Sequence, residues 1–359
     1  MVALPWPGRR AAIEDGDRSA RARTVMAGLL GLVAVASVAS LATGAAGVSL
    51  WQALASLARG EALGLREQVV ILDIRLPRLA LGLMVGAALA VGGAVMQGLF
   101  RNPLADPGLV GVGAGAGLGA VVAIVLGGLL PAGVAAAVGV HIVPLAAFLG
   151  GWATTLLLYR VSTRGGRTSV ATMLLAGLAL GALAGALTGI LVYVADDRQL
   201  RDLTFWGLGS LAGANWTKVW TAAPIILGAL VAAPFLARAL NGLALGEAAA
   251  AHMGVPVQRA KTLAILTVAA ATGAAVAVSG GIGFVGIVVP HLLRLAIGPD
   301  HRFLLPAAGL LGAALLVLSD IVARSIIAPA ELPIGIVTAV LGAPVFLWIL
   351  LRRRGVVDL

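Results

Sequence analysis

Cysteine is absent from the 359 residues, so no disulfide, thiolate nucleophile or cysteine metal site can be built. Charge is scarce: Asp, Glu, Lys and Arg make up 11% of the chain, where a soluble domain carries about a quarter. There are two lysines, Lys218 and Lys261, and neither closes a GxxxxGK[ST] loop, so any ATP site must lie on another subunit. No HExxH occurs, and nothing resembles a serine or paired-aspartate intramembrane protease. The apolar runs hold too few carboxylates for a proton or sodium relay, which argues against an ion-coupled secondary transporter. Ten-residue alternating strands are missing as well, which excludes a transmembrane barrel.

What remains is apolar and small. Sixty per cent of the residues are hydrophobic, 49 are glycine, and mean hydropathy is +1.05. Each span needs roughly 20 apolar residues, so the length leaves room for about ten. They fall near 24–48, 77–100, 108–130, 134–159, 170–195, 216–238, 257–279, 282–298, 303–326 and 333–351, the eighth being short and glycine-rich. The expected fold is an all-α polytopic membrane protein packed through small faces, since lipid offers no hydrophobic drive for helix association. It comprises an arginine-rich tail (1–23, with Arg9, Arg10, Arg18, Arg21 and Arg23), one transmembrane domain (24–352) and a short tail (353–359).

The net charge of +10 is scattered between apolar segments, which fits topology and not nucleic acid. With the N-terminus inside, 17 of the 25 basic residues fall on the inner side, which places both termini in the cytoplasm. GAALAVGG (86–93) recurs as GAAVAVSG (273–280) with six of eight residues identical, an offset that also carries Pro103 onto Pro290. The copies are five spans apart, an odd number, so the echo reads as an inverted repeat of the kind transporters use.

Three polar interruptions carry the functional reading. In MQGLFRNPLADPG (96–108) both prolines resist helix, and Asp106-Pro107-Gly108 reads as a cap and restart; the link is a tight turn or a constriction lined by Asn102 and Leu104. GEAAAAHMG (246–254), inside the loop 242–256, makes a short helix too brief to cross the membrane and suited to a groove on a soluble partner. In VPHLLRLAIGPDHR (289–302), His291 and His301 lie ten residues apart across a Gly-Pro turn, which favours structural hydrogen bonds over metal ligation. Asp320 and Arg324, four apart, can pair on one helical face.

RLPRLALGLMVGAALAVGGAVMQGLFRNPLADPG, the LGEAAAAHMGV loop and GFVGIVVPHLLRLAIGPDHR with SDIVARSIIAPAELPIGIVTAVLGAPVF closely resemble the FecCD-type permeases of bacterial ABC importers for siderophores, heme and vitamin B12. The likeness runs from about Arg75 to Arg354. It implies the vitamin B12 permease-like, type II importer fold in the inner membrane. A second copy would complete the pathway, two ATPase subunits carrying ATP and Mg would dock beneath, and a periplasmic binding protein would deliver cargo. It also implies roles: Gly246, Glu247, Ala251 and Gly254 in the coupling helix, and Asn102 and Leu104 with Val170, Ala171 and Thr172 as the inner gate. Arg324, with Arg59 and Arg66 by loop position, would meet the binding protein. YVADDRQLRDLTFWGLGSLAGANW (193–216) looks most like heme permeases, with siderophore and cobalamin permeases as the alternative.

Overall fold

The computed structural model describes residues 18–44, 46–165 and 167–352; Arg9, Arg10 and the tail 353–359 lie outside them. Sixteen α-helices follow in order: α1 Ser19–Ala42, α2 Leu50–Ala58, α3 Leu65–Gln68, α4 Leu76–Phe100, α5 Val112–Leu126, α6 Ala132–Val138, α7 Ile142–Ser162 and α8 Val170–Val194. Then come α9 Asp197–Leu208, α10 Trp216–Ala232, α11 Ala237–Ala244, α12 Glu247–His252, α13 Val257–Ser279, α14 Val285–Ile297, α15 His301–Ser325 and α16 Ile334–Arg352. The strands form one antiparallel hairpin, β1 Thr163–Arg164 with β2 Arg167–Thr168, which joins α7 to α8. Among the described residues eight helical stretches are long and apolar enough to span a membrane, with α14 and α16 as shorter apolar helices. Each of the ten spans read from the sequence has a helix.

Boundaries moved where short amphipathic pieces sit beside the spans. The stretch 49–76, left between the first two expected spans, is largely helical: Ser49 caps α2, and a π-helix over Val69–Arg75 runs directly into α4. The widened turn accommodates Pro77, which lacks an N–H and would otherwise crowd the carbonyl four residues back. The DRQLRDLTFWGL stretch is α9, opened by a capping box in which Asp196 accepts from the Gln199 N–H and Gln199 returns the bond. The first span starts at Ser19, inside the expected tail, and buries Ala22, Leu29 and Ala36, one residue every second turn, against α15.

α4 is the axis of the core, buried along nearly its whole length and flanked by α10, α13, α14 and α15. Small residues permit this. A Cβ on Gly86 would sit 2.3 Å from the Gly312 carbonyl oxygen of α15, and one on Gly93 would sit 1.9 Å from the Gly286 carbonyl of α14. In the alternating run, Gly115 and Gly119 face α7, where a Cβ would overlap the Gly150 and Ala146 carbonyls, while Gly113 and Gly117 meet nothing. Helix contact therefore uses every second glycine of the run, one residue in four. The two copies of the internal echo both lie buried, on the packed pair α4 and α13. The echo stops there: Pro103 lies in a turn beyond α4, whereas Pro290 lies inside α14.

Candidate functional site

One end of the bundle carries α12. Its six residues are set between two glycines with left-handed backbone, Gly246 at φ 107° and Gly254 at φ 78°. The Val255 N–H returns to the Ala250 carbonyl at 3.0 Å, closing the helix, and Ala250 is fully buried. Leu245, Ala251 and Met253 are exposed, so a short helix with a small apolar outer face projects from the bundle. Glu247, its first residue, is half exposed and pairs with buried Lys261 at 2.6 Å.

The proline-locked link lies at the same end of α4 and is built from two side-chain turns. Arg101 closes α4 with φ 51°, after which Asn102 Oδ1 accepts from the Leu104 N–H at 2.9 Å. Asp106 Oδ1 then accepts from the Gly108 N–H at 2.8 Å, starting a 3-10 turn over Pro107–Val110. The restart read at Asp106 is present, but Gly111 at φ 74° delays α5 to Val112. Burial pushes the Asp106 carboxyl up, and the Gly108 N–H opposes this. α8 packs on this 3-10 turn. Its own start is fixed by Ser169, whose Oγ accepts from the Thr172 N–H at 3.2 Å and the Thr172 hydroxyl at 3.0 Å. Asn102, Ala171 and Thr172 are exposed, while Leu104 and Val170 are half-buried.

A cavity of about 500 Å³ lies between the link and the α13–α14 loop, lined by Asp106, Pro107, Trp206, Thr272, Phe284 and Ile287 among others. The buried Thr272 hydroxyl has no hydrogen-bond partner among the described residues. Trp206 also lines a second cavity of about 540 Å³ that includes Asp202 and Lys218.

The histidines serve structure. His301 Nδ1 lies 2.8 Å from Asn241 Oδ1, and Asn241 donates to Asp300 at 2.7 Å. Burial works against the charged form of Asp300, but hydrogen bonds from the Arg302 side chain and backbone and from Asn241 hold it down at about 2. Gln97 of α4 donates to the Gly286 carbonyl at 3.1 Å and accepts from Arg294. His291 is buried inside α14.

The opposite end, marked by α2, places the three arginines differently from one another. Arg59 is exposed and bridges to Glu61 at 2.9 Å; Arg66 is exposed and donates to the Ala46 carbonyl at 2.7 Å. Arg324 lies inside the bundle. It is 8% exposed and donates to the carbonyls of Ser40 at 2.8 Å and Thr43 at 3.0 Å. The expected pairing with Asp320 is present at 3.4 Å, and it helps turn Arg324 into the seam with α1. Sequence reading missed the dominant partner: Arg78 grips Asp320 through Nε and Nη2 at 2.8–3.1 Å and reaches Glu331 at 2.8 Å. Arginine in an otherwise apolar run was the available signal.

A polytopic helical bundle of apolar spans with a short helix, α12, projecting between two of them fits the membrane subunit of a transporter. The chain belongs to the FecCD transport family, which matches residues 32–352, and is an ABC importer permease. It is 49% identical to a hemin transport system permease protein of Yersinia pestis over 79% of this chain and 83% of that one. A cobalamin import permease of Halobacterium salinarum is 45% identical, covering 80% and 74%, and a vitamin B12 import permease of Klebsiella pneumoniae 44%, covering 82% and 86%. Among solved structures, an inward-facing metal-chelate type ABC transporter superposes with TM-score 0.80 at 34% identity, covering 92% of this chain and 99% of that one.

Proposed function

We propose that two copies of this chain enclose a pathway that carries heme from a periplasmic binding protein to the cytoplasm, driven by two ATPase subunits seated on α12. The higher identity to the hemin permease than to the cobalamin permeases carries the choice of cargo. Both termini are then cytoplasmic and the α12 end faces the ATPases. Gly246, Glu247, Ala251 and Gly254 form the coupling helix, held out by its glycine hinges. Asn102 and Leu104, with Val170, Ala171 and Thr172, form the inner gate. α8 supplies the dimer face: Leu175, Leu178 and Ile190 are 71%, 75% and 62% exposed along it. Arg59 and Arg66 meet acidic groups of the binding protein, with the buried Arg324 steadying the platform beneath them.

The test is ATP-dependent uptake into proteoliposomes containing the permease and its ATPase, with binding protein outside. Heme, a ferric siderophore and cobalamin are compared. Uptake of heme alone is expected. Uptake of either other cargo alone would keep the importer and replace its substrate, a reading favoured by the 44–45% identity to cobalamin permeases. ATP-independent uptake would overturn the assignment.

A further inference from the structure

Lys261 is the side chain on which the α12 end turns. It sits near the start of α13 and is 2% exposed, and a buried ammonium is costly unless its protons are met. Two partners meet them, and they belong to different segments. Nζ lies 2.6 Å from Glu247 Oε1, at the start of α12, and donates to the Thr168 carbonyl at 2.9 Å, at the end of β2. Gln258, three residues earlier and so on the same helical face, accepts the Thr168 N–H at 2.9 Å. Both backbone groups of Thr168 are thus held by α13. The next residue is Ser169, the cap of α8, and its N–H donates to the Ser162 carbonyl across the hairpin at 2.9 Å. The Glu247–Lys261 pair is a side-chain polar bond from α12 to the rest of the bundle.

We infer that Lys261 is the positioning residue that transmits displacement of α12 to the first turn of α8, Val170–Thr172. The inference rests on reading α12 as the ATPase contact and that turn as a gate. Glycine hinges leave α12 free to pivot as a unit, and the ammonium converts that pivot into a pull on the hairpin that caps α8. An apolar residue of similar volume would fill the same space more cheaply, since a buried ion pair contributes little net stability. What the ammonium adds is the link between two segments.

The experiment uses the full transporter, permease with ATPase and binding protein, in proteoliposomes. Because the chain has no cysteine, spin labels go only where cysteines are placed, here at Thr172 and at Arg59 on the far end. Two quantities are read: heme moved per ATP hydrolysed, and the change in label separation between nucleotide-free and ATP-bound states. Lys261→Met should lower the first by about tenfold, an ordinary size for coupling between sites, and abolish the second. Lys261→Arg should restore both, whereas the exchange of Glu247→Lys with Lys261→Glu should restore neither, because a carboxylate at 261 cannot donate to the Thr168 carbonyl. If Lys261→Met does not fold, Glu247→Ala removes the same bond from the exposed side and should show the same loss. Unchanged transport ratio and unchanged label movement would overturn the joint. A wild-type transporter without nucleotide-dependent movement would overturn the reading of α12, and the joint with it.

Discussion

At the α2 end, Arg75, Arg78 and Arg324 converge on two carboxylates and on the last carbonyls of α1; at the α12 end, α12 sits between two glycines with left-handed φ, Gly246 and Gly254, and meets the bundle through Glu247 and Lys261. Arginine explains the first arrangement. Its planar fork grips a carboxylate through several N–H groups, so Arg78 fixes α4 to α15, and the α1 carbonyls left open at a helix terminus are capped by positive charge. The other end holds α12 by one lysine, whose ammonium is a point charge that tolerates reorientation. One end is clamped and the other is jointed, which suits the proposed importer, in which cargo arrives at the first and ATPases act on the second.

The sharpest way to break this contrast is Asp320→Ala. It leaves Arg78 and Arg324 buried with an uncompensated charge, and removing one partner of a buried pair costs about 3–5 kcal/mol. Thermal unfolding in detergent should register the loss, and a cost comparable to that of an exposed substitution would show that the clamp is ornamental. Arg75→Met should cost less, about 2 kcal/mol, because it removes hydrogen bonds from a charged donor to neutral carbonyls. Those are the bonds to Leu41 at 2.7 Å and Val48 at 3.1 Å.

Docking separates exposed from buried arginine. Arg59→Glu with Arg66→Glu should weaken binding-protein association by about 1 kcal/mol at low salt, the scale of exposed ion pairs, and leave the melting temperature alone. The effect should fade at high salt, where screening reaches about 3 Å at 1 M. Arg324→Lys should do the reverse, lowering stability while leaving the dissociation constant unchanged. If Arg324→Lys alone weakens docking, Arg324 must turn outward to meet its partner.

Much of this was legible in the sequence, for identifiable reasons. Spans announce themselves because crossing lipid takes a long apolar run, and the link 101–111 because Asn102-Pro103 and Asp106-Pro107 both oppose helix. The short α2 and α9 were not legible: their amphipathic faces resemble ordinary polar loops unless the caps Ser49 and Asp196 are weighed. Nor was the clamp. Arg78 and Asp320 lie 242 residues apart, and no local pattern encodes that encounter. Arg324 was placed correctly beside Asp320 by the four-residue rule, yet its burial depends on α1 crossing its face, which periodicity cannot supply. Lys261 stood out only as one of two lysines, and its two partners come from the hairpin and α12.

The smallest expected effect comes from Asp300, the most elaborately bonded carboxylate of the jointed end. Its folded pKa of about 2 lies below an unfolded value of about 3.9. The charged form therefore stabilises the fold above about pH 4, and that contribution is lost as pH falls toward about 2. Asp300→Asn keeps an oxygen that can cap the Arg302 N–H and gives up only the ion pair with Arg302, which is 72% exposed. The loss should stay under about 1 kcal/mol. Unfolding of the variant and wild type compared at pH 8, 5 and 3.5 should show a constant gap at the first two and a narrower one at the third. A gap that changes between pH 8 and 5 would assign the titration to a neighbouring histidine, and would make the α12 end pH-sensitive in the range where cells work.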